Sequence, residues 1–247
     1  MNSIKVSLVG RTLDKLANQD QARASKLFFK TGQGDYAEKD RFIGVSVPIQ
    51  RKVAKQFQEI KLRELEKLIN SPIHEYRMTG LLILVEKYYA KLTGDYLRQE
   101  CVDFYLGHVD QVNNWDLVDT SCYKLLGDYL WRKQEFELLY RYAGLESTRQ
   151  NLWKNRIAIV TTLAFIRHDR LDQTYQISEI LIRHPEDLIQ KAVGWMLREA
   201  GKRDRYSLID FLNIYAGQMP RTMLGYAIER FEPDLKRYYR GLVAYSN

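Results

Sequence analysis

The chain has 247 residues, 45% of them hydrophobic, and 38 Lys and Arg against 31 Asp and Glu give a net charge of +7. A sizeable core is affordable, no stretch is poor enough in apolar residues to read as a disordered tail or linker, and the basic excess suggests an anionic partner such as nucleic acid. The longest apolar run, Gly80 to Val85, is far short of the about 20 residues of a membrane span, and Met1 to Arg11 holds no signal-peptide core.

In chain order, apolar periodicity predicts helices over 4–30, 48–58, 62–70, 73–91, 94–108, 115–131, 134–144, 149–168, 173–183, 186–202, 206–216, 220–230 and 233–242. Lys30 to Tyr36 interrupts them as a Gly-rich loop. It lacks the Gly-Lys-Ser/Thr ending of a phosphate loop, and no strand precedes it. Ile43, Val45 and Val47 form the one short strand-like alternation. The five prolines, Pro48, Pro72, Pro185, Pro220 and Pro233, each stand just before a helical stretch, where proline's fixed φ suits the first turn. The fold class expected is therefore all-α.

Twelve or so short helices on short loops suggest stacked pairs instead of one bundle. Aligning the helices through Arg77, Asp116, Arg156 and Lys191 gives spacings of 39, 40 and 35 residues. A period of about 40 is that of HEAT and armadillo repeats. The expectation is an α-solenoid of HEAT-like repeats, one curved domain over 1–247 with a concave basic cleft.

Two cysteines, Cys101 and Cys122, make no disulfide framework, so a reducing cytoplasm is expected. The four histidines show no metal-ligand spacing, and no metal or other cofactor is expected. Cys122 reads as a small core residue.

Residues three and four apart share one helical face. Between 186 and 202, Leu188, Ile189, Ala192, Val193, Met196 and Leu197 form an apolar stripe, leaving Lys191, Trp195 and Arg198 on the other face. The helix from 149 repeats this with Arg149, Trp153 and Arg156. A third opens Asn113-Asn114-Trp115-Asp116-Leu117-Val118-Asp119, where Asn114 can cap and Trp115 and Asp119 stand one turn apart. For any one helix the plain alternative is stronger: a core Trp covered by an Arg stem, and an Asp serving the helix dipole. Three successive repeats with Trp and a charge on one face shift the balance toward an inner binding face.

At these residues the chain resembles the DNA alkylation-repair proteins with HEAT-like repeats, the AlkD-like DNA glycosylases, from about Phe28 to about Arg203. The segments that carry the resemblance are Lys30 to Gly34 with Asp40 to Pro48, then Asn114 to Asp119, then Ile189 to Glu199. The resemblance implies that Asp119, Trp115, Trp195 and Arg156 line a concave cleft beside the damaged nucleotide. Tyr36 is the nearest match to a tyrosine the family brings from its N-terminal helices. It also implies a lesion left within the duplex and gripped by its backbone. The residue types suit such chemistry. Alkylation at N3 or N7 makes a purine cationic, so it departs as a neutral base without a general acid. One carboxylate, Asp119, then suffices to stabilise an oxocarbenium-like sugar and orient water. Trp115 and Trp195 would hold the cationic nucleotide at about 0.5–2 kcal/mol per contact. Arg156, Arg149, Lys191 and Arg198 would hold flanking phosphates.

The expectation is a glycosylase acting on double-stranded DNA with alkylated bases, monomeric, without membrane association. The alternative is a non-catalytic DNA-binding module for distorted or branched DNA. A protein-binding scaffold stands third.

Overall fold

A computed structural model describes residues 3–91, 93–148 and 150–243, with side chains from Leu8 to Leu242 over those stretches. Among the described residues the fold is all-helical with no strand, consistent with an α-solenoid. Arg149 lies outside the described residues. The chain divides into two compact units, 1–121 and 122–247.

The first unit holds α1 (Ser3–Lys15), α2 (Gln19–Phe28), α3 (Val47–Gln56), α4 (Leu62–Ile69), α5 (His74–Tyr88), α6 (Asp95–Gly107) and α7 (Trp115–Cys122), whose last residue opens the second unit. Its centre is α5, buried on nearly every side, with Met78, Leu81, Ile83 and Leu84 in the core. Helices α1, α3, α4 and α6 pack around it.

The single helix expected over 4–30 is two. The break falls at Asn18, whose side chain accepts from Gln21 N–H at 3.0 Å while its own N–H donates to the Ile43 carbonyl at 2.9 Å. Gly44 makes this approach possible. Its φ is +79°, and a Cβ there would stand 2.0 Å from the Asn18 carbonyl oxygen. The alternation at Ile43, Val45 and Val47 is likewise no strand. The N–H groups of Ile43, Gly44 and Val45 donate to the buried Glu75 carboxylate, at 2.7 Å for Gly44, and a lone bridge pairs Arg41 with Ile73. A buried carboxylate thus takes the hydrogen bonds a partner strand would have taken.

The second unit begins with a π-helical turn, Tyr123–Gly127. It continues through α8 (Asp128–Lys133), α9 (Glu137–Ala143), α10 (Leu152–Thr161), α11 (Leu163–Ile166), α12 (Asp172–Ile180), α13 (Asp187–Arg203), α14 (Arg205–Tyr215), α15 (Arg221–Ala227) and α16 (Pro233–Val243). The helix expected over 149–168 is divided at Thr162, whose hydroxyl donates back to the Ile159 carbonyl at 2.7 Å. The π turn, inside the helix expected over 115–131, sits where Gly127 lets α10 and α11 come close. A Cβ on Gly127 would be 2.9 Å from the Thr161 carbonyl oxygen and 2.6 Å from Ala164 Cβ.

Helix α13 is the hub of this unit, touching α10, α11, α12, α14 and α15. Ile189, Ala192, Val193, Met196 and Leu197 are buried as the apolar stripe requires, with Leu188 half-buried. No described helix is long and apolar enough to cross a membrane.

Candidate nucleic-acid interface

In the first unit, α7 carries Trp115 and Asp119 one turn apart, both half-buried. Its first turn is anchored by buried ions. Asp116 Oδ2 lies 2.8 Å from His74 Nε2, and Asp40 Oδ2 lies 3.1 Å from His74 Nδ1. Arg77 donates to Asp40 Oδ1 at 2.6 Å and to the Ser71 carbonyl at 2.9 Å. Asn114 donates to Asp40 at 3.3 Å and accepts from the Trp115 N–H at 2.8 Å, so it does act at the start of α7. Burial alone would push the His74 pKa down. The neighbouring Asp116 charge and the hydrogen bonds donated to Asp116 and Asp40 outweigh burial and the repulsion of Arg77, and carry it up to about 9. For Asp40 burial acts upward, but the His74 hydrogen bond and the Arg77 charge hold its carboxyl below the usual range.

Aromatic rings surround this ion cluster. Phe29 stacks on Trp115 at 5.4 Å and on Phe42 at 5.1 Å, and both phenylalanines lie against the His74 ring at 5.0 and 4.8 Å. Phe28, 65% exposed, meets Trp115 edge-on at 5.7 Å. Tyr36 is half-buried in a turn of the Gly-rich loop. In that loop the N–H groups of Gly32 and Gly34 donate to the Asp35 and Glu38 carboxylates at 3.0 and 3.1 Å. Its donors thus face the chain's own acids, as a connecting loop's would.

In the second unit, Trp195 lines an open groove of about 610 Å³ with Leu163, Ile166, Arg167, Glu199, Lys202 and Arg203. Three cations face one carboxylate there. Arg167 is exposed and lies over the Tyr123 ring at 4.6 Å, on the π turn. Glu199 pairs with Lys202 at 2.7 Å, and Arg203 with Asp169 at 3.4 Å.

The other residues expected to face DNA in this unit have protein partners of their own. Arg156 is only 5% exposed and donates to the Leu188 carbonyl, tying α10 to the start of α13. Lys191 pairs with Asp187, and this hydrogen bond raises its pKa. Its ammonium also feels Arg156 and Tyr226, so these three share a neighbourhood. Arg198 is bound by Glu229 and, at 3.3 Å, by Glu199. Trp153 is half-buried on α10.

Several residues in and near the segments that carry the resemblance are structural. A Cβ on Gly194 would lie 2.4 Å from the Met223 carbonyl oxygen and 2.5 Å from Tyr226 Cβ, so glycine there lets α15 lie against α13. Gln190 donates to the His184 and Pro185 carbonyls at 3.0 and 3.1 Å. Asn155, fully buried, donates to the Tyr142 carbonyl at 2.8 Å. The sequence reading missed Asp40, His74 and Arg77 as a charged cluster, Phe28 on Trp115, and the Arg167, Lys202 and Arg203 groove. The signal available for the last was Trp195 with Glu199 and Lys202, at i, i+4 and i+7 of one helix.

Residues 9–231 match the profile of a family described as DNA alkylation repair enzyme. A solved structure described as a predicted DNA alkylation repair enzyme from Enterococcus faecalis shares the fold. It is 17% identical, with a TM-score of 0.68 over 88% of this chain and 97% of that one. The comparison with curated proteins gave no match. With a profile matched across both units and the fold shared, this chain belongs to the DNA alkylation repair enzyme family.

Proposed function

We propose that the protein is a DNA glycosylase that hydrolyses the N-glycosidic bond of cationic N3- or N7-alkylated purines in duplex DNA. The observation that carries this reading is Asp119 one turn from Trp115 on α7, a helix whose first turn buried ion pairs hold. A pure phosphate binder gains nothing from such a carboxylate. In this reading Asp119 stabilises the positive sugar as the bond to the base breaks and orients the attacking water. Trp115 and Trp195 offer electron-rich faces to the cationic nucleotide. The base leaves neutral, so no acid partner for Asp119 is needed, and the lesion stays within the duplex. Phosphates are held by Arg167, Lys202 and Arg203 beside Trp195, with Lys191, Arg198, Trp153 and Tyr36 as further contacts, and Arg156 supports that face from behind by tying α10 to α13. Arg149 belongs to the same proposal by position. The protein works as a cytoplasmic monomer.

The test is base release from N7-methylguanine duplex DNA by wild type and by Asp119→Asn. The variant should lose about 10²-fold or more in single-turnover rate while DNA affinity changes little. An inactive wild type, or an Asp119→Asn variant as fast as wild type, would sink the reading. A second reading, DNA binding without base release, is favoured by the Trp195 groove, whose three cations need no carboxylate on α7 to grip a backbone. It predicts salt-sensitive binding, lost on charge reversal at Arg167 or Arg203, with no base released.

A further inference from the structure

The buried cluster behind Trp115 has an unusual composition. His74 is 2% exposed and lies between two carboxylates, one at each ring nitrogen. A neutral imidazole donates from one nitrogen only, so a carboxylate at both sides is satisfied only by the imidazolium. The charges balance in that state: Asp40 and Asp116 against His74 and Arg77. Remove the His74 proton and one negative charge is left buried without compensation, a costly state that the structure would relieve by moving a group. Asp116 is the less tethered of the two. Its other oxygen has no hydrogen-bond partner among the described residues, whereas Asp40 is held by Arg77 and Asn114 as well.

Asp116 sits between Trp115 and Asp119 on the same first turns of α7. The His74 ring also forms part of the aromatic wall, touching Phe29 and Phe42, with Phe29 stacked directly on Trp115. Two paths therefore connect His74 to Trp115, one through Asp116 in the backbone of α7 and one through Phe29. We propose that His74, as an imidazolium bridging Asp40 and Asp116, is a positioning residue that fixes the first turn of α7 and so sets Trp115 and Asp119. The catalytic half of this inference rests on the glycosylase reading; the link from His74 to Trp115 does not. The charged groups that face His74 are Asp40 from the loop before α3, Arg77 from its own helix and Asp116 from α7. Their balance raises its pKa to about 9, so the imidazolium persists through neutral pH.

The experiment follows His74 and Trp115 in the intact protein as pH is raised. The His74 ring is read by its Cε1–H resonance. Trp115 is read by 19F NMR of protein labelled with 5-fluorotryptophan, its signal assigned with Trp115→Phe. The expected result is one midpoint near 9 in both signals, moved at least about tenfold in proton concentration toward neutrality in Asp116→Asn. Single-turnover base release should fall with the same midpoint, and His74→Gln should be slowed about 10²-fold at neutral pH with DNA affinity changed less than about threefold. A Trp115 signal that ignores the His74 titration, or a His74 that titrates near an ordinary 6.5, overturns the inference. The wild-type titration decides this even if both variants fail to fold. Base release that is active but indifferent to His74 overturns the catalytic half and leaves the glycosylase reading standing. If no base is released at any pH, the functional reading and the catalytic half fall together, and the fluorine signal alone decides whether His74 holds Trp115.

Discussion

At the scale of single residues, three positions carry sharp consequences. Gly194 is where α13 and α15 touch through backbone, and a methyl there would have to displace the Met223 carbonyl. Gly194→Ala should destabilise the protein by about 1–3 kcal/mol in urea unfolding, despite alanine's better helix propensity, and Gly194→Val by more. His74 makes stability depend on pH with a definite sign. Its folded pKa is raised from 6.5 to about 9, so its contribution is complete below 6.5 and is lost as pH climbs toward 9. The whole contribution is roughly 3 kcal/mol, and thermal melting between pH 6.5 and 9 should show wild type falling toward His74→Gln. Asp40 behaves oppositely. Its pKa is lowered, so its stabilisation is present above the ordinary 3.8 and fades as pH drops through its folded value.

At the scale of elements, helix ends are set by contacts that periodicity does not register. Asn18 splits the first predicted helix because its carbonyl and N–H meet Gly44 and Ile43, far along the chain. Asn18→Ala should cost about 1 kcal/mol in chemical denaturation, and Asp204→Ala, which uncaps α14 at Tyr206 and Ser207, should also lower the denaturation midpoint. The helices themselves were legible, because a 3.6-residue apolar stripe is written locally and five prolines mark their starts. The internal divisions were not. The π turn at Tyr123–Gly127 and the break at Thr162 answer to the close packing of α11 and to a hydroxyl bonding backward. The candidate site was legible only as residue types on faces. Trp115, Asp119 and Trp195 are half-buried. Arg156 is engaged by the Leu188 carbonyl and Arg198 by Glu229, distant partners that no spacing rule could foresee, whereas Lys191 meets Asp187 at i, i+4 of its own helix.

At the scale of the whole molecule, the net charge of +7 and family membership imply DNA binding, and its strength should follow salt. Removing one cation from the Trp195 groove, as in Arg167→Gln, should weaken DNA binding about equally for damaged and undamaged duplex. It should also reduce the slope of log K against log salt by about 0.9 in fluorescence anisotropy. Lys191→Gln should do less, because Asp187 already neutralises that ammonium. Composition, apolar period and proline placement determined that the chain would be all-helical and basic, since each of these acts through neighbours in sequence. Tertiary structure alone decided which charges stay available to a ligand and which are consumed inside. An arginine on the right face becomes a tether when a carbonyl from another helix comes within reach, as for Arg156. A histidine with no motif around it becomes the charged keystone under Trp115 because Asp40 and Asp116, 34 residues before it and 42 after, are folded against its two nitrogens.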